Sequence, residues 1–364
     1  MISDENVGGA GVLLCNLLKN LDRTRFEAEV ALPRGSALLE RIDALKIPTV
    51  ELEHPCDRVS GRSVRELQRL IRFRKPDIVH ANAAVSARVA GKLCGRRVIH
   101  TRHCCYPMKD DRRIHPFFYA ERMGNRWLSD RAIATADAAA ENLREMGMPA
   151  RKISVIINGS EPVREVEEAE LAEWRERLKL TREDYCVGIC ARLEACKGHT
   201  VFLSAARIAQ QRMPERRFRF LIVGEGSLGQ FLKERAIREG LAESVRFVGF
   251  VPDPAPIYRL LRINVNASCG TETSCLAISE GMSAALPTVA SHYGGNRAMI
   301  GDTGAGICFE VGNAVSLADA ICRIASDQVL EERMREAALA RYREHFTAKR
   351  MTEQVQELYT MLLQ

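Results

Sequence analysis

Several things are missing from this sequence, and each absence removes a class of protein. No apolar run approaches the roughly 20 residues needed to cross a bilayer. Met1 is followed by neither a basic stretch nor an apolar core, so no secretory signal is legible. The 12 cysteines include no paired CxxC spacing of the zinc type. Cys104 and Cys105 are adjacent, and Cys186, Cys190 and Cys196 are unevenly spaced. They read as reduced thiols filling small apolar sites in a cytoplasmic protein. Aromatic residues make up 6% and are not interleaved with basic ones, so nucleic acid is the weakest class of partner. No short-period repeat or low-complexity segment is present.

What is present is a chain of 364 residues, long enough for two domains. Its net charge of +6 is unevenly spread. Residues 1–160 hold 27 Lys+Arg against 19 Asp+Glu, a net of +8, and the remainder holds 26 against 28. "RLIRFRKP" (Arg69–Pro76) and "KDDRRIHPFF" (Lys109–Phe118) contribute to the basic half. Such a half suits an anionic membrane surface or an anionic substrate, and equally an ordinary arginine-rich solvated face.

Short apolar runs alternate with helical patterns, as in a parallel sheet with crossover helices. "DIVHAN" (Asp77–Asn82), "RRVIHTRH" (Arg96–His103), "RAIATA" and "KISVIING" read as strands of a first unit. The pattern restarts after a charged bridge with "YCVGICAR" (Tyr185–Arg192), "FRFLIVGEG" (Phe218–Gly226), "VRFVGF", "INVNAS" and "PTVAS". The expected fold class is α/β, with two Rossmann-like doubly wound domains facing a central cleft. The expected boundaries are 1–160, 161–344 and a final helix at 345–364. Gly8, Gly9 and Gly11 look like the loop between a first strand and its helix, yet only Ile2 and Ser3 precede them as a strand tail. A first strand missing upstream is the favoured explanation.

In open α/β sheets ligands bind beyond the carboxyl ends of the strands. Arg192 and Lys197 lie on one strand-to-helix loop. Two cations so placed suit a diphosphate, or are simply exposed surface charges. "VGEGS" puts Gly224 in a tight turn that lets a ligand approach backbone. Gly229 is in the wrong register for the third glycine of a dinucleotide fingerprint. His103 ends a strand, as a ligand contact or proton carrier would, and as a structural histidine also does; His80 and His100 share that ambiguity.

The most informative stretch is "GTETSCLAISEGMSAALPTVAS", Gly270 to Ser291. A helix from about Ser274 offers free N–H groups and a positive dipole to an anion. Glu280 falls about six residues inside it, ~9 Å along the axis. That is one ribose away from a phosphate at the helix start. Glu272 precedes the helix and would face whatever the phosphate carries.

Taken together, these segments resemble the family 4 retaining glycosyltransferases of the GT-B fold over essentially the whole chain. The carriers are the E-x7-E pair Glu272 and Glu280 followed by "GMSAALPTVAS", the cations of "ARLEACKG", then "LIVGEGSLGQFLKERA", "VRFVGFV" and "YGGNRAMI" in family order. "ISDENVGGAG", "PDIVHAN" and "HTRH" match in the first half. The resemblance implies a nucleotide-sugar donor, UDP- or GDP-linked, as substrate, with no metal or other cofactor, and no DxD-like motif is visible. It implies that Arg192 and Lys197 stabilise the departing diphosphate, with N–H groups of Cys275 and Leu276. Glu280 would hold the ribose and Glu272 the transferred sugar. Val248 to Phe250 would border the base, and His103 would reach the sugar. Gly8, Gly9 and Gly11 would close over phosphate or acceptor, and the last helix would cross back onto the first domain. The acceptor would be a glycan or lipid-linked, in envelope or exopolysaccharide synthesis, at the inner face of the cell membrane. A sugar-nucleotide epimerase on the same fold and a non-catalytic sugar-binding subunit are the alternatives. The chain departs from the family pattern at "NGSEP", at Thr273, and at Ala285, where glycine is usual.

Overall fold

The structure, a computed structural model, describes residues 1–3, 8–54, 56, 59–103, 116–270 and 272–364, without the side chains of 116–118, 120 and 121. Cys104, Cys105 and most of the basic stretch Lys109–Phe118 lie outside the described residues. The chain divides into two compact units: Met1–Ser160 with Ala348–Gln364, and Glu161–Thr347.

In the first unit, β1 (Val30–Pro33) pairs in parallel with β2 (Thr49–Leu52). A second parallel sheet runs β3 (Ile78–Asn82), β4 (Arg97–Arg102), β5 (Arg131–Ala134) and β6 (Ile153–Val155). Met1 to Ser3 occupy the slot between β1 and β3. The Ile2 amide donates to the Ala31 carbonyl at 3.0 Å, and the Asn82 amide donates to the Met1 carbonyl at 2.9 Å. Ile2 is fully buried there. The short strand tail read from the sequence thus joins the two sheets. The helix Ala348–Leu363 is fastened to this unit by side chains. Gln356 Oε1 accepts from the Asp22 amide at 2.7 Å, and Tyr359 Oη meets His80 Nδ1 at 2.6 Å.

The second unit holds six parallel strands: β7 (Tyr185–Cys190), β8 (Phe218–Val223), β9 (Val245–Gly249), β10 (Ile263–Asn266), β11 (Thr288–Ser291) and β12 (Gly306–Phe309). Their spatial order is β12-β11-β10-β7-β8-β9. The chain builds outward from β7 to β9, then returns to the other side of β7 with β10. This is the doubly wound order with its switch point between β7 and β10. Helices cover both faces, so the strands read as nearly unbroken apolar runs. Tyr185, Phe202, Phe218 and Phe220 are buried in the core, with the Phe218 and Phe220 rings stacked at 5.6 Å.

Ala285 ends the helix Leu276–Ser283 at φ +56°. The Leu286 amide donates to the Gly281 carbonyl at 2.9 Å and the Ala285 amide to Met282 at 3.0 Å. That pair of bonds is a Schellman cap, whose left-handed position suits glycine. Alanine holds it at a steric cost of about 1–2 kcal/mol, partly offset by the freedom glycine has when unfolded. Ala285→Gly is expected to stabilise the second unit by about 0.5–1 kcal/mol in urea unfolding. An unchanged or lowered midpoint would show that the cap is not strained.

Candidate functional site

The loop after β7 tightens into a 3-10 turn, Ala195–Lys197, and is pressed against the chain leaving β10. At Gly198, φ is +70° and an added Cβ would lie 2.0 Å from the Ala267 carbonyl oxygen, so only glycine fits. This brings Lys197 to Glu272, which lies in the loop after β10. Lys197 Nζ donates to Glu272 Oε2 at 2.7 Å, and Ser268 Oγ donates to the same oxygen at 2.8 Å. The two side chains are 18% and 9% exposed. Burial pulls the Lys197 pKa down, but the Glu272 charge and hydrogen bond outweigh it, and the net shift is upward. The ammonium therefore stays charged, and the pair sits at the switch point of the sheet.

Glu280 lies on the helix Leu276–Ser283, with Cys275 as its N-cap. The helix thus begins two residues later than the sequence suggests. Glu280 is four residues past the first helical residue, or ~6 Å along the axis rather than ~9 Å. Its Oε2 accepts from Tyr258 Oη at 2.8 Å. Burial raises the Glu280 pKa, and the Tyr258 bond opposes that rise. Cys275 Sγ accepts from Asn266 Nδ2 at 2.9 Å, and burial pushes the thiol up to about 12. Leu276 opens the helix beside it.

The remaining candidates separate. Arg192 is exposed, and its guanidinium makes no hydrogen bond with a described residue. Gly224 stands at φ +127°, where a Cβ would lie 2.2 Å from the Ala191 carbonyl oxygen. Its amide donates to the Gly249 carbonyl at 2.9 Å, so it packs the ends of β7, β8 and β9 together. Val248 is buried, and Phe250 is exposed beside Glu225, whose Oε1 accepts from the Phe250 amide at 3.4 Å.

In the first unit Gly8 caps the helix Gly9–Asn20, and Gly9 faces open space. Gly11 instead abuts Leu38, where a Cβ would lie 2.5 Å from Cδ2. Its missing side chain leaves room for the Leu38 side chain. His103 Nε2 meets Asn82 Oδ1 at 3.0 Å, and burial lowers its pKa to about 4. Both His80 ring nitrogens are engaged, Nδ1 by Tyr359 and Nε2 by Thr101 Oγ1 at 2.7 Å. His100 pairs with Ser129 at 2.9 Å. His103 and His80 line one pocket with Asn82, Thr135 and Asn158, whereas His100 does not line it.

Sequence reasoning passed over Tyr258, Ser268, Asn266 and Asn296. Asn296 Nδ2 donates to Asn266 Oδ1 at 3.2 Å, and that oxygen also accepts from the Ser268 amide at 3.1 Å. The signal was available in "INVNAS". Two asparagines in a fully buried strand must find partners.

Residues 7–164 match the family model described as Glycosyltransferase Family 4, and residues 184–327 match that described as Glycosyl transferases group 1. The UDP-Gal:alpha-D-GlcNAc-diphosphoundecaprenol alpha-1,3-galactosyltransferase of Escherichia coli is 26% identical over 337 residues, 85% of this chain and 83% of that protein. The D-inositol 3-phosphate glycosyltransferase of Corynebacterium urealyticum (strain ATCC 43042 / DSM 7109) is 27% identical over 309 residues, 78% of this chain and 72% of that one. Among solved structures, Anabaena Alr3699/HepE in complex with UDP has a TM-score of 0.84 at 20% identity, covering 99% of this chain and 98% of that chain. Fold and sequence thus define a glycosyltransferase of the GT-B class. The chain belongs to the glycosyltransferases that join a family 4 domain to a group 1 domain.

Two outcomes are expected. Tyr258→Phe removes the donor to Glu280 and should cost about 1–3 kcal/mol of stability, read by urea unfolding; an unchanged midpoint would make the bond incidental. Acid should destabilise the first unit. The folded His103 pKa of about 4 lies below its ordinary 6.5. The unfolded chain then binds the proton more readily, so this stability is full above about pH 6.5 and lost as pH falls toward 4. His80, at about 3, and His100 act in the same direction. His103→Gln should flatten the slope; an identical slope would count against a buried neutral imidazole.

Proposed function

We propose that the chain transfers a sugar from a nucleotide-sugar donor to a glycan or lipid-linked acceptor, with retention at the transferred carbon and no metal in the scheme. The observation that carries this reading is the Lys197–Glu272 pair at the switch point between β7 and β10, with Glu280 on the helix that follows. Comparison supports the substrate class. The Anabaena protein was solved in complex with UDP and with UDP-glucose, and the Escherichia coli relative is named for UDP-Gal and a diphosphoundecaprenol-linked acceptor. A UDP-sugar is therefore the first donor to test, ahead of a GDP-sugar.

The roles follow from which atoms are left over. Lys197 carries three donors, and Glu272 engages it through Oε2. The remaining donors and the exposed Arg192 fork suit a diphosphate, whose charge grows as the sugar leaves. The helix N-terminus at Cys275 and Leu276 adds a positive dipole end. In both glutamates Oε2 is engaged within the protein, while no described residue bonds Oε1. Glu280 Oε1 is offered to the ribose and Glu272 Oε1 to a hydroxyl of the transferred sugar. In the proposed step the bond from the sugar carbon to the diphosphate oxygen breaks. The acceptor oxygen bonds that carbon from the same face, and its proton passes to the leaving phosphate. His103, neutral near pH 7, is a hydroxyl partner that adds no charge.

A thermal-shift panel of UDP and GDP, then of their sugars, tests the reading, since a bound ligand stabilises by mass action. A shift with neither nucleotide would overturn it. Lys197→Ala should weaken nucleoside diphosphate binding by about 10–100-fold, the worth of a charge-assisted bond. Glu272→Gln should reduce transfer more than nucleotide affinity. An equal loss of nucleotide binding would put Glu272 at the nucleotide. Transfer should persist in EDTA, and its loss there would overturn the metal-free scheme.

A further inference from the structure

A buried polar network lies behind the Lys197–Glu272 pair, and it closes on one residue. Ser268 Oγ donates to Glu272 Oε2 at 2.8 Å, so the carboxylate depends on where Ser268 stands. Ser268 is buried and held by both of its backbone groups. Its amide donates to Asn266 Oδ1 at 3.1 Å, and its carbonyl accepts from Ser291 Oγ. Both of those partners are held in turn by Asn296. Asn296 Nδ2 donates to Asn266 Oδ1 and to Ser291 Oγ, each at 3.2 Å, and lies at the same distance from the Ser291 carbonyl oxygen. A carbonyl only accepts, so the end of the Asn296 amide that faces Ser291 is its NH2.

Asn266 carries the network one step further. Its Nδ2 donates to Cys275 Sγ at 2.9 Å, at the N-cap of the helix Leu276–Ser283. One side chain thus ties Ser268, which holds Glu272, to the start of the helix that bears Glu280. Asn296 fixes which way the Asn266 amide points. Exchanging its two ends would set Nδ2 against two other donors, the Asn296 NH2 and the Ser268 amide. Asn296 is itself fully buried and opens the short helix Asn296–Ile300 after β11. A satisfied buried network of this kind specifies one geometry, and the loss of one member is felt by the others.

We propose that Asn296 is a positioning residue: by holding the Asn266 amide and the Ser291 hydroxyl it clamps Ser268, and through Ser268 it aims Glu272 at Lys197 and at the transferred sugar. Only the sugar rests on the proposed function; the hold on the ion pair does not.

Trace acetylation of lysines in the full chain, read residue by residue by mass spectrometry, tests this without any ligand. Burial lowers the Lys197 pKa, and the Glu272 charge more than restores it. A misdirected Glu272 therefore leaves Lys197 less protonated and faster to acetylate. Glu272→Gln sets the scale. Asn296→Ala should raise Lys197 labelling about threefold to tenfold, as a pKa lowered by up to about one unit allows. Ser291→Ala cuts one of the two arms and should raise it less, and it carries the test if Asn296→Ala unfolds. With Glu272→Gln already present, Asn296→Ala should add nothing, because its route runs through Glu272. Val289→Ala, a buried apolar change on the strand that carries Ser291, mimics simple loss of stability and should leave Lys197 labelling unchanged. The proposal is overturned if Asn296→Ala leaves Lys197 at the wild-type level, if Val289→Ala raises it as much, or if the full rise persists with Glu272→Gln. Under the proposed function, Asn296→Ala should also slow UDP release from UDP-glucose about tenfold or more while keeping the UDP thermal shift. A wild type with neither shift nor release would count against the transferase reading, and the labelling would still decide the role of Asn296.

Discussion

The second unit is organised around one ion pair. Lys197 and Glu272 come from loops that follow β7 and β10, two strands far apart in sequence and adjacent in the sheet. A largely buried carboxylate or ammonium left without its partner would cost several kcal/mol, so each loop is held by the other's charge. A third loop fixes the arrangement from behind. Gly294, after β11, stands at φ +55°, where a Cβ would lie 2.1 Å from the Glu272 carbonyl oxygen. Three loops from neighbouring strands thus meet with backbone against backbone. Because the pair neutralises itself, the site can stay assembled without an anion. A bound diphosphate would then join an existing cation rather than create a buried one.

How much of this was legible depends on what kind of information each feature needs. The strands could be read because parallel sheets covered by helices demand apolar runs, and "YCVGIC" and "FRFLIV" are such runs. Arg192, Lys197, Glu272 and Glu280 could be singled out because polar side chains just beyond strand ends, or inside an apolar helix, have few structural reasons to be there. The helix starts two residues later than expected because Cys275, which sequence preferences do not mark as a cap, takes the cap position. At Gly11 sequence shows only the absence of a side chain, and that the vacated space holds Leu38 is a tertiary fact.

The Tyr258–Glu280 bond shows the same limit more sharply. Tyr258 sits on the short helix Ala255–Leu260, with no local feature that marks it as a partner for a carboxylate. It reads as core, and by burial it is core. Only the fold turns its hydroxyl toward the one acid in the facing helix. Buried polar groups need partners, so Glu280 required such a donor, and the requirement could be stated from sequence although its solution could not.

The two units also handle charge differently. The first carries the basic excess, and its interior histidines are held neutral by burial, while its buried Arg88 bonds the neutral groups of Ser129 and Asn125. The second is nearly balanced overall but keeps charged groups inside, each with a named partner: Lys197 with Glu272, Glu280 with Tyr258, and Glu331 with Arg262 and Tyr185. An interior charge acts over short range and with little screening, which suits holding one small anion in one geometry. A surface excess acts over about a Debye length, which suits meeting something large and flat.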